Sequence, residues 1–209
     1  QTDGIRRQMD ERFQSLTDWL VNGGVDFDFI CESLLPSQCA QGGAPLQVGK
    51  MAYDAVVVPD CETLRATTLE RLEAFAAAGG KLIFMGDAPK FVDAAPSDRA
   101  KALAEKALRI PYTSFDLLEA LADERQIDVR MDNGERAPRL LHQLRRDGDG
   151  CWLFLCNSEK PLRPDSPDEW HYTLSVKGRW APTLYDTITG EIRPFPCHQE
   201  PGRTLMSLT

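Results

Sequence analysis

The spacing of apolar residues predicts alternating helices and strands over the first 131 residues. Residues 5–21 carry apolar side chains at helical spacing and stop before Asn22, Gly23 and Gly24, a composition that favours a left-handed C-terminal cap. We predict an amphipathic helix there. Apolar and polar side chains alternate over residues 25–30, which is typical of a strand that lies near a sheet edge and has one solvent-exposed face.

A βαβ unit is predicted over residues 53–86. Residues 53–59 include an unbroken valine run, as in strands buried on both faces of a parallel sheet. Thr67 and Glu70 have the spacing of a capping box at the start of a helix, which two glycines end before the strand at 81–85. The apolar stripe of this helix consists of Leu69, Leu72, Phe75 and Ala76.

Two more helices are predicted, at residues 99–109 and from a cap at Ser114 to about 124, followed by a strand at 127–131. This alternation favours a flavodoxin-like, doubly wound parallel sheet in an α/β domain. We assign it to residues 1–133.

Beyond residue 133 the helical period disappears. Residues 140–145 and 151–156 flank an Asp-Gly-Asp-Gly sequence and predict a β-hairpin. Further strands are predicted at 172–176, 183–186, 191–195 and 204–208, separated by turns that contain proline and glycine. We therefore assign residues 134–209 to a small antiparallel β-sandwich domain.

Charge and cysteine usage narrow the possible partners. The chain has 24 basic and 32 acidic residues, a net charge of -8, and no basic stripe, so nucleic acid is not expected as a partner. No apolar run reaches the roughly 20 residues that cross a bilayer, so no membrane partner is expected either.

The chain begins Gln-Thr-Asp-Gly, which is no signal peptide, so we expect it to be cut from a longer protein. Six cysteines without a CxxC pair suggest reduced thiols in the cytoplasm; a secreted parent with buried thiols stays open.

Candidate ligand-binding residues follow two predicted strands. Asp60 and Glu62 come after the strand at 53–59, and Asp87 comes after the strand at 81–85. Open α/β sheets bind ligands at these strand ends, and the carboxylates suit acid/base work or a hard cation. Helix capping and solvated loop charge are commoner explanations for such carboxylates. The chain contains neither GxGxxG nor GxxxxGK[ST], so no nucleotide cofactor is expected.

Other reactive residues carry weaker signals. Cys61 would need a base and an orienting group to act as a nucleophile, and the three histidines all lie at or beyond position 142. These histidines lack zinc-site spacing, so no metal site is expected. Four aromatic residues of the C-terminal region could stack on sugars or fill a sandwich core: Trp152, Trp170, Trp180 and Tyr172.

The sequence resembles a family of accessory domains. Residues 53–60 and 69–86 are similar to the class I glutamine-amidotransferase-like domain embedded in bacterial glycoside hydrolases, such as the β-galactosidase trimerisation domain of family 42 and its relatives in family 106 rhamnosidases. ThuA-like and other flavodoxin-like proteins share the motif. Residues 153–157 and 184–191 resemble the sandwich that follows such domains. In amidotransferases the catalytic cysteine lies in a tight turn of sequence GxCxG, the nucleophile elbow. The corresponding residues here, 85–89, are Met-Gly-Asp-Ala-Pro and contain no nucleophile.

This resemblance implies a non-catalytic scaffold, assembly or active-site-rim region of a glycoside hydrolase. The catalytic carboxylates would belong to an upstream (β/α)8 barrel of the same polypeptide, since such a barrel takes roughly 250 residues. Partners would be that barrel, further copies of the chain and the parent's carbohydrate substrate, with no cofactor. Two alternatives are a free-standing small-molecule or sugar-binding module and a pure oligomerisation domain.

Overall fold

A computed structural model describes residues 2–137, 140–158 and 170–208. The chain divides into two compact units. The α/β unit comprises the described residues of 1–17 and 27–124, and the β unit comprises those of 18–26 and 125–209.

The described residues form helices in the first part of the chain and strands throughout. The helices are α1 (Thr2–Asn22), α2 (Leu35–Gln38), α3 (Ala66–Ala77), α4 (Arg99–Ala104) and α5 (Ser114–Ala120). Strands of the α/β unit are β1 (Leu46–Val48), β2 (Met51–Tyr53), β3 (Ala55–Pro59), β4 (Thr63–Leu64), β5 (Lys81–Met85), β6 (Phe91–Val92), β7 (Ala95–Pro96) and β8 (Leu108–Ile110). Strands of the β unit are β9 (Ile127–Met131), β10 (Leu140–Asp147), β11 (Gly150–Asn157), β12 (Tyr172–Lys177), β13 (Thr183–Tyr185), β14 (Ile192–Pro194), β15 (His198–Glu200) and β16 (Arg203–Leu208).

The predicted parallel sheet is present, with the strand order β3-β5-β8. β5 has the predicted bounds and is the central strand, and its last four residues are buried. β3 differs from the prediction, because it pairs only with β5 and most of its residues are half-buried. Its valine run therefore marks an outer strand of the described sheet.

Helix α3 connects β3 to β5, as predicted, but its N-terminus is built differently. The N-cap is Arg65, which makes no side-chain capping bond, so the capping box predicted for Thr67 and Glu70 is wrong. Instead, the carboxylate of Asp93 accepts a hydrogen bond of 3.2 Å from the backbone N–H of Ala66. The free N–H group at the helix start is thus satisfied by a residue distant in sequence.

The strand predicted at residues 25–30 is wrong. These residues form no ladder with a neighbouring strand among the described residues, although α1 has nearly its predicted bounds. Side-chain contacts account for the alternating pattern: the Tyr53 hydroxyl donates to the Asp28 carboxylate at 2.7 Å, and the Phe29 ring lies 4.7 Å from that of Phe13. An alternating sequence does not by itself supply a backbone partner.

The helices at residues 99–109 and 114–124 are both shorter than predicted. α4 ends at Ala104, and the last predicted helical residues belong to β8, which extends the parallel sheet. α5 ends at Ala120, and its N-cap is Thr113 rather than Ser114. The Thr113 hydroxyl oxygen accepts a 3.1 Å hydrogen bond from the N–H of Asp116.

The β unit contains a four-stranded antiparallel sheet in the order β15-β16-β12-β9. The strand predicted at 127–131 has the right bounds, but it pairs antiparallel with β12 instead of extending the parallel sheet. The predicted hairpin is present: β10 and β11 pair over eight positions, and Gly148 in their turn has a φ of 60°. A second hairpin joins β13 and β14.

Apolar residues from the sheet and the first hairpin form the core of the β unit. Ile127, Leu174, Val176 and Met206 are buried sheet residues, and Leu153 and Leu155 of β11 pack against this cluster. A parallel sheet with helices and separate antiparallel sheets together confirm the predicted mixed α/β fold class. Within the described residues, no helix is both long enough and apolar enough to cross a bilayer.

Candidate functional site

The structure brings the three predicted carboxylate residues to one hollow of the α/β unit. Asp60 directly follows β3, and Asp87 follows β5 after one glycine. The hollow has a volume of about 220 Å³. Its lining residues are Ile5, Gln8, Met9, Arg12, Asp60, Cys61, Glu62, Asp87, Ala88 and Lys90. The position at the carboxyl ends of parallel strands is the one that open α/β sheets use for ligands.

Asp60 is placed by a glycine on the neighbouring strand end. Gly86 has a φ of +85°, and a Cβ atom built there would lie 3.1 Å from the Cβ of Asp60. The backbone N–H of Gly86 also donates to the carbonyl of Ile110 at 2.9 Å. Glycine therefore allows both the left-handed backbone and the close approach of the two strand ends.

Arg12 of α1 forms an ion pair with the Asp60 carboxylate. Its guanidinium also lies 5.2 Å from the centre of the Tyr112 ring, and the Tyr112 hydroxyl donates to the Arg12 carbonyl at 2.8 Å. Burial raises the pKa of Tyr112, and the positive charge of Arg12 partly offsets this shift. The negative charge of Asp60 is consequently matched by the protein itself.

The remaining charged groups at the hollow are Glu62, Asp87 and Lys90. The Glu62 carbonyl accepts hydrogen bonds from the backbone N–H groups of Lys90 and Phe91, at 3.2 and 3.1 Å. Among the described residues, no three His, Cys, Asp or Glu side chains are arranged to hold a metal ion. The lining thus offers hydrogen-bonding and charged groups of both signs, which suit a small polar molecule.

Sequence reasoning did not identify Arg12 and Lys90 as residues of this hollow. Arg12 lies on a helix far from the strand ends in sequence, and no local pattern connects it to Asp60. Lys90 lies in the segment after Asp87, which lacks a regular period. Only the presence of unpaired carboxylates at a strand end could have suggested a nearby cation.

Cys61 has the properties of a structural thiol. Burial, together with the negative charges of Glu32 and Glu62, raises its pKa to about 11. A nucleophilic cysteine needs the opposite shift, because the thiolate is the reactive form. The segment that corresponds to the amidotransferase elbow also begins with the fully buried Met85 and contains no cysteine or serine.

The histidines and the aromatic residues of the β unit have diverse environments. Burial lowers the pKa of His142, opposed by the negative charge of Asp26, while His198 lies exposed on β15. Trp180 is half-buried and donates its ring N–H to the Lys177 carbonyl at 2.8 Å. Tyr172 packs against the core, whereas Trp152 and Trp170 are exposed.

Comparison with known proteins gives a similarity of fold. No protein-family model matches the sequence, and no curated protein is significantly similar to it. The chain is similar in structure to an apo exo-carrageenase of glycoside hydrolase family 42 from Bacteroides ovatus, with a TM-score of 0.51 and 14% sequence identity. The match covers 93% of this chain and 24% of the exo-carrageenase chain, so this chain spans about a quarter of that protein's length.

Proposed function

We propose that this chain is a non-catalytic accessory region of a glycoside hydrolase that acts on carbohydrate. The observation that carries the proposal is the fold similarity, which extends over 93% of this chain but only 24% of the exo-carrageenase. A chain that matches a minor part of such an enzyme over nearly all its own length is expected to have the role of that part. Glycosidase chemistry would then be performed elsewhere in the parent.

The chemistry of the hollow supports this proposal. A glycosidase uses two carboxyl groups, one of which donates a proton while the other attacks or activates water. Here Asp60 is paired with Arg12, and the pKa of Cys61 is raised to about 11. The raised pKa keeps the Cys61 thiol protonated at neutral pH, so Cys61 is not prepared to act as a nucleophile.

The accessory role that we propose is that of a scaffold. The catalytic acid and nucleophile would lie in a (β/α)8 barrel of the same polypeptide, a fold of roughly 250 residues that commonly carries them at its strand ends. The present region would pack against that barrel, shape the rim of the active site or contact other copies of the chain. Its six free cysteines favour a cytoplasmic protein.

An activity assay tests the proposal. The 209-residue chain is incubated with a panel of chromogenic glycosides, with a sulfated galactan and with glutamine, and product release is followed. We expect no turnover above that of a heat-denatured sample. Turnover that is lost in Asp87→Asn or Glu62→Gln, with an unchanged unfolding midpoint, would overturn the accessory role.

A second function, a sugar-binding or small-molecule-binding module, is favoured by the hollow. Its volume of about 220 Å³ and its mixed charges would accommodate one small polar molecule. If the chain binds sugars, at least one monosaccharide should raise its unfolding midpoint in a thermal-shift screen, and Asp87→Ala should abolish that increase. The matched control is Asp54→Ala, which removes an exposed carboxylate outside the hollow. No stabilisation by any sugar would exclude monosaccharides as the ligand.

A further inference from the structure

The β unit carries an exposed aromatic face. Trp152 and Phe154 alternate along β11 with Leu153 and Leu155, which pack against the core. Because successive side chains of a strand point to opposite sides, the two rings project away from that core. They are 55% and 56% exposed.

A second hairpin extends this face. The ring of Tyr185 on β13 lies 5.1 Å from that of Trp152, at an angle of 58°. Ile192 is the cross-strand partner of Tyr185, and both are exposed. Rings from two hairpins therefore form one surface.

Polar side chains of β10 stand opposite the two rings of β11. In the register of the first hairpin, Arg145 stands opposite Trp152, and Gln143 stands opposite Phe154. Directly opposite residues of an antiparallel pair share a face, and both polar residues are exposed. Arg145 forms no ion pair within the described residues, including with the exposed Asp147 at the turn. A guanidinium that has no carboxylate partner in the described part of the chain thus stands opposite an exposed indole.

This pattern of groups defines the chemistry of a ligand. The face combines exposed aromatic rings with one guanidinium and one side-chain amide. A guanidinium recognises sulfate or carboxylate through two parallel hydrogen bonds. A pyranose ring offers an apolar C–H face to an aromatic ring and hydroxyl groups to an amide. A sugar chain that bears acidic groups satisfies all three kinds of side chain.

We propose that the face formed by Arg145, Gln143, Trp152, Phe154 and Tyr185 binds an acidic oligosaccharide. The rings stack on sugar units, Gln143 hydrogen-bonds hydroxyl groups, and Arg145 pairs with a sulfate or carboxylate group. The choice of a carbohydrate rests on the proposed function. Nucleic acid also combines rings with acidic groups, but its phosphate backbone is bound by several basic side chains, and Arg145 is the one basic residue among the five that form this face.

Calorimetric titration of the 209-residue chain tests the proposal. The probes are oligosaccharides from a sulfated galactan and the same chains after removal of sulfate. Trp152→Ala is expected to weaken binding of both probes by about tenfold. Arg145→Gln is expected to weaken only the sulfated probe, by about five- to tenfold.

Two controls remove similar side chains elsewhere. Phe115→Ala deletes a 73% exposed ring of the α/β unit, and Arg146→Gln changes the next residue of β10, which points to the other side of the hairpin and donates to Gln126. Both controls are expected to bind like the unchanged chain. Unfolding midpoints of all variants verify that they are folded.

Three results would overturn the proposal: binding of neither probe, equal loss in the control variants, or dissociation of an oligomer by Trp152→Ala in sedimentation without sugar binding. The last would make the face an interface between copies. These outcomes are distinct from failure of the proposed function. Turnover by this chain would overturn the accessory role alone, and absent binding without turnover would overturn the sugar-binding face alone.

Discussion

A Cβ atom at Gly86 would lie 3.1 Å from the Cβ of Asp60, at the point where two parallel strands end. Gly86→Ala should therefore lower the free energy of unfolding for two reasons: alanine is strained in the left-handed backbone conformation, and its Cβ atom would displace Asp60. Gly79 has the same φ of +85°, but a Cβ atom built there has no neighbour within 4 Å. Gly79→Ala should therefore lower the free energy of unfolding through backbone strain alone. We expect about 1–2 kcal/mol for Gly79→Ala and about 1 kcal/mol more for Gly86→Ala. Urea unfolding measures both, and equal losses would contradict the close approach at Asp60.

Alkylation should distinguish Cys61 from Cys31. Hydrogen bonds from Ser33 lower the pKa of the exposed Cys31, whereas burial and two carboxylates raise that of Cys61 to about 11. With iodoacetamide at neutral pH, Cys31 should react first, because the thiolate is the nucleophile. The rate at Cys61 should keep rising with pH toward its pKa. Peptide mass spectrometry measures both rates, and equally rapid labelling of Cys61 at neutral pH would show that its thiol is activated.

Asp128 should stabilise the β unit above the pKa of an unfolded aspartate. Burial would raise its pKa, but the hydrogen bond from Arg130 and the charges of Arg130, Arg125 and Arg136 hold it below its usual value. Asp128→Asn leaves the buried Arg125 without this counter-charge and should cost about 2 kcal/mol at neutral pH.

The pH dependence of this effect has a definite sign. A depressed folded-state pKa gives stability that is present above the unfolded value of about 3.9 and lost as the pH falls through the folded value. The difference in unfolding free energy between the unchanged chain and Asp128→Asn should therefore narrow below about pH 4. Asp132→Asn, at an exposed position, is the control. A difference that is constant with pH would contradict the assigned pKa shift.

The ion pair between Arg99 and Glu73 should show measurable coupling. Two guanidinium nitrogens of Arg99 donate to the two carboxylate oxygens of Glu73, at 2.8 and 2.6 Å. Both side chains are partly exposed, so a double-mutant cycle of Arg99→Ala and Glu73→Ala should give about 0.5–1 kcal/mol. The coupling should shrink in about 1 M salt because of screening. Coupling of zero at low salt would mean that the pair does not persist in solution.

Local pattern predicts much of the secondary structure but not the partners of each element. The strand at Lys81–Met85 has its predicted bounds, because its apolar run is enclosed by glycine turns. Ile127–Met131 also has the predicted bounds, yet it pairs with β12, and that choice depends on residues more than 40 positions away. The alternating pattern at residues 25–30 arises without any backbone ladder among the described residues.

In the candidate site, too, local sequence pattern predicts some residues and misses those that only tertiary packing brings there. Asp60, Glu62 and Asp87 were predictable because each follows a strand that local pattern identifies. Arg12 was not, because its contact with Asp60 exists only once α1 has packed. Likewise, the cap of α3 comes from Asp93 rather than from the adjacent Thr67, since a distant carboxylate can satisfy the same N–H group.

The proposal that this chain is an accessory region of a glycoside hydrolase can be tested by sequencing the coding DNA upstream of the Gln1 codon. We expect a continuous open reading frame that encodes a (β/α)8 barrel with two carboxylates at its strand ends. The activity of the joined polypeptide on glycosides should depend on those carboxylates. A start codon or a secretion signal directly before the Gln1 codon would rule out an upstream barrel and make Asp60 and Asp87 the candidate site of an independent protein.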